Sequence, residues 1–367
     1  MNKVRSKYRI LFAGGGTGGH LYPAIAVAEE VKKLKPNAEI LFVGSKNKVE
    51  GRVIPKIGFE FKNIIVRGFA RKISIKTFLF PFYLLISMIQ SLVIAMKFKP
   101  LVAIGTGGYV AGPAIWASSV MGAKVILIEP NSYPGITTRL LEKYADEIHI
   151  SFDYTKQFLR RNEILKLTGN PVRSSLKISD KIYALKKFNL SESKKTLLII
   201  GGSLGADSIN KAIEKNLEQF SKNEIQLIWQ VGKNYFDEYS KHQKDDCKVF
   251  DFIENMDEAF SACDLVIARA GASTISEIAL LGLAAILIPS PNVAENHQYH
   301  NAKALADNRA VIMIEDKNLE TELFEVVIKT LSDEDLINEL KLNVRKFSKP
   351  DAAFQIARDA INYIEFN

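Results

Sequence analysis

The chain has 367 residues, more than one hydrophobic core usually organises, so two domains of ordinary size are expected. Hydrophobic residues at 47% and charged residues at 25% exclude a disordered chain and a multi-span membrane protein. The net charge of +8, scattered without a basic tail, favours anionic partners such as a phosphate-bearing substrate or an anionic membrane surface, and singles out no nucleic acid.

From the amino terminus, a basic start gives way to an apolar run that stops at glycines after Ala13, too short for a signal-peptide core. The run Ile10, Leu11 and Phe12 reads as a strand, the glycines as a turn, and Ile25, Ala28, Val31 and Leu34 after Pro23 fall at helical spacing. Further apolar runs at 40–43, 101–104, 125–128 and 147–150 alternate with helix-length segments, the pattern of a parallel sheet built from crossover units. At Thr168-Gly169-Asn170-Pro171-Val172-Arg173 the pattern breaks, because Asn-Pro disfavours helix. It then restarts with strands at 196–200, 225–231, 265–268, 284–288 and 311–314. The expected fold is α/β, two doubly wound Rossmann-like domains at residues 1–168 and 169–350 facing across a central cleft. A final helix in 351–367 either returns to the first domain or caps the second. Cys247 and Cys263 are too few for a disulfide framework and not spaced as metal ligands, which fits a reducing cytosol.

Three glycine loops follow predicted strands, at 14–20, 105–113 and 201–206. A helix amino terminus offers unpaired N–H groups and partial positive charge, and glycine lets a phosphate approach it closely. Gly14, Gly16 and Gly19 satisfy the dinucleotide fingerprint, but that reading also needs an acid at the end of the second strand, where Val43 is followed by Gly44 and Ser45. A nicotinamide or flavin enzyme therefore loses its second leg. Glu277, after Ala272, Ser273 and Thr274, could accept ribose hydroxyls, or the segment could be a capping box that needs no ligand. Both readings stay open on the residues alone.

Taken together, GlyGlyThrGlyGlyHis with Pro23, GlyThrGlyGlyTyrValAlaGlyPro, GluProAsn at 129–131, the 168–173 motif, GlyGlySerLeuGlyAla, AlaSerThrIleSerGlu and GluAsnHisGlnTyrHisAsnAla at 295–302 form a pattern. In order, from about residue 9 to about 307, it resembles the MurG family of peptidoglycan N-acetylglucosaminyltransferases, in glycosyltransferase family 28. The resemblance implies a GT-B fold, UDP-N-acetylglucosamine as donor and undecaprenyl-pyrophosphoryl-muramoyl pentapeptide, lipid I, as acceptor. It implies inverting transfer to the C4 hydroxyl of the muramoyl sugar, giving lipid II, at the cytoplasmic face of the inner membrane without cofactor or metal. By motif match, Thr17, Gly18, Gly19 and Asn131 face the donor sugar and acceptor, and Arg173 and Ser203 take the diphosphate. Ile253 packs at the uracil with its backbone reading the base. Ala272, Ser273, Thr274, Ile275, Ser276 and Glu277 hold phosphate and ribose, and Gln298 holds the sugar. Leu21-Tyr22 and His297 depart from the family pattern. Competing readings are another UDP-sugar enzyme of the same fold, a lipid glycosyltransferase or a 2-epimerase, and a non-catalytic nucleotide-binding scaffold.

Transfer to a hydroxyl needs a base, and histidine titrates near working pH. His20 alone among five histidines ends a glycine loop; the alternative is a histidine that only bonds loop backbone. Glu129, at the end of a strand, is the rival base or an orienting group for His20 or Asn131. His149, His242 and His300 read as surface or packing residues. Leaving-group charge falls to Arg173, Ser203 and the helix starting near Ala272, in place of a metal. The tight acidic pair Asp333 and Asp335 opens a late helix, where capping explains it.

Residues 78–96 are almost continuously apolar, with Arg67, Arg71, Lys72 and Lys76 before them and Lys97 and Lys99 after. Pro81, Ser87, Gln90, Ser91 and the position between two strands of one sheet argue against a membrane span. A core helix would account for most of the leucines and isoleucines. Surplus exposed Phe78, Leu79, Phe80, Phe82 or Tyr83 would instead form a patch that dips into an anionic leaflet, and peripheral docking is the expectation.

Overall fold

The structure, a computed structural model, describes residues 7–66, 80–173, 176–202 and 204–366. Ser203 and the flanking Arg67, Arg71, Lys72, Lys76, Phe78 and Leu79 lie outside the described residues. The chain divides into two compact units, Met1–Ser174 with Lys349–Asn367, and Ser175–Ser348.

In the first unit the strands are β1 (Arg9–Gly14), β2 (Glu39–Gly44), β3 (Glu60–Asn63), β4 (Val102–Gly107), β5 (Lys124–Glu129), β6 (Glu147–Ile150) and β7 (Leu165–Leu167). The helices are α1 (Gly18–Leu34), α2 (Val49–Lys56), α3 (Phe80–Phe98), α4 (Ala111–Val120) and α5 (Ile136–Leu141). The strands form one parallel sheet in the order β3-β2-β1-β4-β5-β6-β7. Helices cover both faces, so the central strands read as unbroken apolar runs and not as alternating ones. Phe12 of β1 stacks on Phe42 of β2 at 5.1 Å. The strand order reverses between β1 and β4, which is where open α/β sheets bind ligands.

The second unit holds β8 (Lys195–Ile200), β9 (Ile225–Gln230), β10 (Cys247–Phe250), β11 (Leu265–Arg269), β12 (Ala285–Ile288) and β13 (Ile312–Met313). Its helices are α6 (Lys181–Lys187), α7 (Asp207–Lys222), α8 (Phe236–Tyr239), α9 (Met256–Ala262), α10 (Ala272–Leu281), α11 (His297–Ala306), α12 (Leu319–Ser332) and α13 (Glu334–Arg345). The parallel order β10-β9-β8-β11-β12-β13 again reverses once, between β8 and β11. Trp229, Tyr239, Phe220 and Phe260 are its largest fully buried side chains.

The last helix, α14 (Ala352–Glu365), belongs to the first unit, where Ala353, Ile356, Ala357, Ala360 and Ile364 share a core with Ala24, Ile25 and Ala28 of α1. Trimming the fully buried Ile356 to Ala would cost about 2–5 kcal/mol. A second tie is ionic: Lys166 of β7 reaches Glu147 at 2.7 Å and Asp359 of α14 at 2.9 Å.

Helix α3 reverses what a core helix would do. Its buried residues are small: Ser87, Ser91 and Ala95, at i, i+4 and i+8. Small side chains let α3 lie close to α4, and the large ones turn outward. Phe82, Leu85 and Ile89 are 66%, 57% and 54% exposed. Among the described residues α3 alone is long and apolar enough to cross a membrane.

Candidate active site

At the switch point of the first sheet, the loops leaving β1 and β4 lie side by side. The Thr106 hydroxyl donates to the His20 carbonyl at 2.6 Å, and His20 Nδ1 lies 2.8 Å from the Thr106 carbonyl. A carbonyl only accepts, so Nδ1 carries the hydrogen and Nε2 keeps the lone pair of the neutral ring. Two glycines make this contact possible. Gly107 has φ +99°, and a Cβ there would stand 2.8 Å from the His20 ring. Gly108 has φ +80°, and its Cβ would meet the Gly15 carbonyl at 2.5 Å. His20 is half-buried; burial lowers its pKa, against the Thr106 carbonyl and the charge of Glu50, so the ring is neutral at pH 7. Thr17 is the N-cap of α1, but its exposed side chain makes no capping bond, and Gly18 and Gly19 open the helix.

The loop after β5 joins the same edge. Buried Glu129 accepts from Asn131 N at 3.0 Å, Asn131 Nδ2 at 3.1 Å, Gly135 N at 2.9 Å and Thr138 Oγ1 at 2.6 Å. Burial raises its pKa, and these donors act against that rise. Thr155 Oγ1 donates to the Asn131 carbonyl at 3.1 Å, and Thr137 Oγ1 to the Gly108 carbonyl at 3.3 Å, tying this loop to the one after β4. Arg173 belongs to this unit too, where its charge acts on Glu29 of α1.

In the second unit the loop after β8 is shaped by Gly202 (φ +89°) and Gly205 (φ +83°). A Cβ on Gly205 would stand 2.1 Å from the Val231 carbonyl, so this loop nests against the one leaving β9. Buried Gln230, the last residue of β9, joins two candidate contacts: its Nε2 donates to the Gly202 carbonyl at 3.3 Å and its Oε1 accepts the Ile253 N–H at 2.9 Å. Of the Ile253 backbone, the N–H is thus already engaged, and the side chain is buried.

Helix α10 begins at Ala272 with Gly271 as N-cap, so Ser273 and Thr274 lie inside the first turn. No side chain caps this end. The capping-box alternative therefore does not describe this helix. The Ser273 hydroxyl is buried without a hydrogen-bond partner among the described residues. An uncapped helix start with a spare hydroxyl suits an anion. Ile275 is buried, the Ser276 hydroxyl bonds back to the Ala272 carbonyl at 2.8 Å, and Glu277 stands half-buried one turn on. Gln298 of α11 accepts from Ser290 N at 2.9 Å, after β12. Asp333 accepts from Leu336 N at 2.9 Å and so caps α13.

Two family models match in sequence order, the glycosyltransferase family 28 N-terminal domain over residues 10–150 and its C-terminal domain over 196–356. The UDP-N-acetylglucosamine–N-acetylmuramyl-(pentapeptide) pyrophosphoryl-undecaprenol N-acetylglucosamine transferase of Flavobacterium psychrophilum is 41% identical over 98% of both chains. The transferase of that name from Christiangramia forsetii is 44% identical over 96% of this chain and 97% of its own. This chain belongs to that transferase family. The crystal structure of Acinetobacter baumannii MurG, a structure of the same fold, aligns with a TM-score of 0.75 over 97% of this chain and 99% of that one, at 26% identity. The two parallel-sheet units are the Rossmann-like halves of a GT-B glycosyltransferase.

Within this transferase fold, several polar residues do work that no motif announced. Glu50 of α2 is buried beneath the 14–20 loop, and Gln230 lies beneath the loop after β8. Arg269, at the end of β11, binds Asp316, the Ser208 hydroxyl and the carbonyls of Ile288 and Pro289, tying two strand ends to the start of α7. His149 is fully buried, its Nδ1 3.1 Å from the Thr168 hydroxyl and its Nε2 3.3 Å from Glu147. It is a packing residue of the α14 clasp, where Lys166 pairs with the carboxylates of both Glu147 and Asp359. His242 pairs with Glu214 at 2.7 Å. His300 is half-buried beside the Tyr299 ring.

Proposed function

We propose that this chain moves N-acetylglucosamine from UDP-N-acetylglucosamine to the muramoyl sugar of lipid I, giving lipid II. Identity above 40% along nearly its whole length to transferases of that name carries the reading. The local chemistry agrees with it. The acceptor C4 hydroxyl attacks the anomeric carbon of the donor sugar from the face opposite the diphosphate, the bond from that carbon to the phosphate oxygen breaks with inversion, and UDP departs. His20 takes the hydroxyl proton at Nε2, the nitrogen its bond to Thr106 leaves with a lone pair. Glu129 carries three donors from its own loop and a fourth from Thr138 of α5, an arrangement suited to positioning Asn131 and not to accepting a proton from substrate.

In the second unit, the uncapped start of α10 with Ser273 would meet the charge developing on the diphosphate, and Glu277 would take the ribose. Ser203 would add to the diphosphate site, Ile253 would face the uracil, and Gln298 the sugar. The outward apolar side of α3, with Lys97 in its last turn and Lys99 just beyond, suits peripheral docking on an anionic membrane surface at the cytoplasmic face, where a lipid-linked acceptor is presented. Transfer of labelled N-acetylglucosamine to a soluble lipid I analogue tests the reading. Saturable UDP binding with no transfer, or conversion of the donor to its 2-epimer, would sink it.

A further inference from the structure

Glu50 is a buried carboxylate that neither the dinucleotide fingerprint nor the transferase motifs point to. It stands in the first turn of α2, 1% exposed, with the ends of β1 and β2 on either side. Oε2 accepts the Gly16 N–H at 2.9 Å, and Oε1 accepts the Ser45 N–H at 3.0 Å. The slot it fills exists because two neighbours lack side chains. A Cβ on Gly15 would lie 2.4 Å from the Glu50 carboxyl carbon, and one on Gly44 would lie 2.5 Å from its Cγ.

Among the described residues no lysine or arginine pairs with this carboxylate, so two backbone donors hold a charge that costs free energy to bury. A glutamine, with one acceptor oxygen, could not take both N–H groups, so the two-donor slot itself calls for a carboxylate. A retained charge has a use if a positive charge forms nearby during turnover, and the group at the far end of the same loop is His20.

We infer that Glu50 is a positioning residue of the transfer reaction: it pins the 14–20 loop through Gly16 and supplies the negative charge opposite which the His20 imidazolium forms as the acceptor proton arrives. This rests on His20 being the base. Among the described residues Glu50 is the charged group that acts on His20: burial lowers the ring's pKa, and the Thr106 carbonyl and the Glu50 charge act to raise it.

The test is the pH profile of kcat for transfer to a lipid I analogue, measured for the full chain, Glu50→Gln, Glu50→Asp, Gly15→Ala and His20→Ala. Glu50→Gln is expected to lower kcat by about tenfold to a hundredfold, leave UDP affinity unchanged, and move the acidic limb of kcat to lower pH. Glu50→Asp keeps the charge and leaves the limb near its original pH. Gly15→Ala drives a methyl into the slot and reproduces the Glu50→Gln limb shift with every titratable group intact. This arm also decides the matter if Glu50→Gln does not fold. An acidic limb that stays in place in Glu50→Gln and Gly15→Ala overturns the inference. A His20→Ala enzyme with undiminished rate overturns the base assignment instead, whatever the Glu50 variants do.

Discussion

His20 and Thr106 are joined twice, ring to carbonyl at 2.8 Å and hydroxyl to carbonyl at 2.6 Å, so the 14–20 loop and the end of β4 move as one piece. His20→Ala removes the proposed proton acceptor and leaves the second unit, where the nucleotide is proposed to bind, untouched. The rate of transfer should fall by about 10²–10⁴-fold while UDP affinity is retained. In the parent chain, kcat should decline as pH falls, with its midpoint below 6.5, because burial holds the ring's pKa under its ordinary value. Transfer assays from pH 5 to 8 beside calorimetric UDP titration check both statements.

Gly107→Ala tests the packing of the two loops. The methyl would press on the His20 ring at 2.8 Å, and the residue would hold φ +99°, which side chains rarely adopt. Strain of that kind costs about 1–3 kcal/mol. Because the obstructed atoms are those of the ring, kcat should fall much further than the melting temperature. A variant that melts early yet turns over normally once folded would show that the contact matters to stability alone.

Gln230 lies under the loop after β8, where the nucleotide is proposed to bind, and its amide holds Gly202 and Ile253 at once. Gln230→Leu keeps the volume but leaves the Ile253 N–H and the Gly202 carbonyl without this partner. Both the loop after β8 and the backbone at Ile253 should loosen. UDP affinity is expected to weaken by about tenfold, close to the worth of one or two hydrogen bonds. Equilibrium binding of UDP with and without the substitution decides it; unchanged affinity would remove Gln230 from the site.

The central strands were legible because helices on both faces make their sequences continuously apolar, as in ArgIleLeuPheAlaGly of β1. Three strands escape that signal: β3, with GluPheLysAsn; β7, with LeuLysLeu; and β10, with CysLysValPhe. All three lie at sheet edges, where half the backbone has no strand partner and polar residues are admitted. The glycine loops were legible as motifs, since positive φ at Gly107, Gly108, Gly202 and Gly205 demands glycine. Glu50 and Gln230 were not, because a carboxylate in a helix and a glutamine ending a strand look ordinary until the fold sets them under a loop. The outward turn of α3 was written in Ser87, Ser91 and Ala95, whose spacing of four marks the face that packs.

That outward face makes a prediction about lipid. Phe82, Leu85 and Ile89 form one stripe along α3, at i, i+3 and i+7. The triple variant Phe82→Ser, Leu85→Ser, Ile89→Ser should lose sedimentation with phosphatidylglycerol vesicles at low salt. Its melting temperature should stay close to that of the parent, since exposed substitutions usually cost no more than about 0.5 kcal/mol each. Rising salt should weaken parent binding as charges near Lys97 and Lys99 are screened. A parent chain that ignores such vesicles would end the docking proposal.

The clasp of α14 predicts acid sensitivity. Burial works against the Glu147 charge, but the neighbouring His149 and Lys166 overcome it and hold its carboxyl at about 2, below the ordinary 4.5. Between those values the folded chain keeps Glu147 ionised while the unfolded chain takes up a proton. Its contribution is therefore complete above pH 4.5 and disappears as pH falls towards 2. A shift of that size corresponds to roughly 3 kcal/mol, drawn from the whole cluster of Glu147, His149, Lys166 and Asp359. Glu147→Gln should lower the urea midpoint at pH 7 and bring it close to the parent's at pH 3, where most of the advantage has gone. An equal gap between the two proteins at both pH values would mean that the clasp stabilises by packing and not by charge.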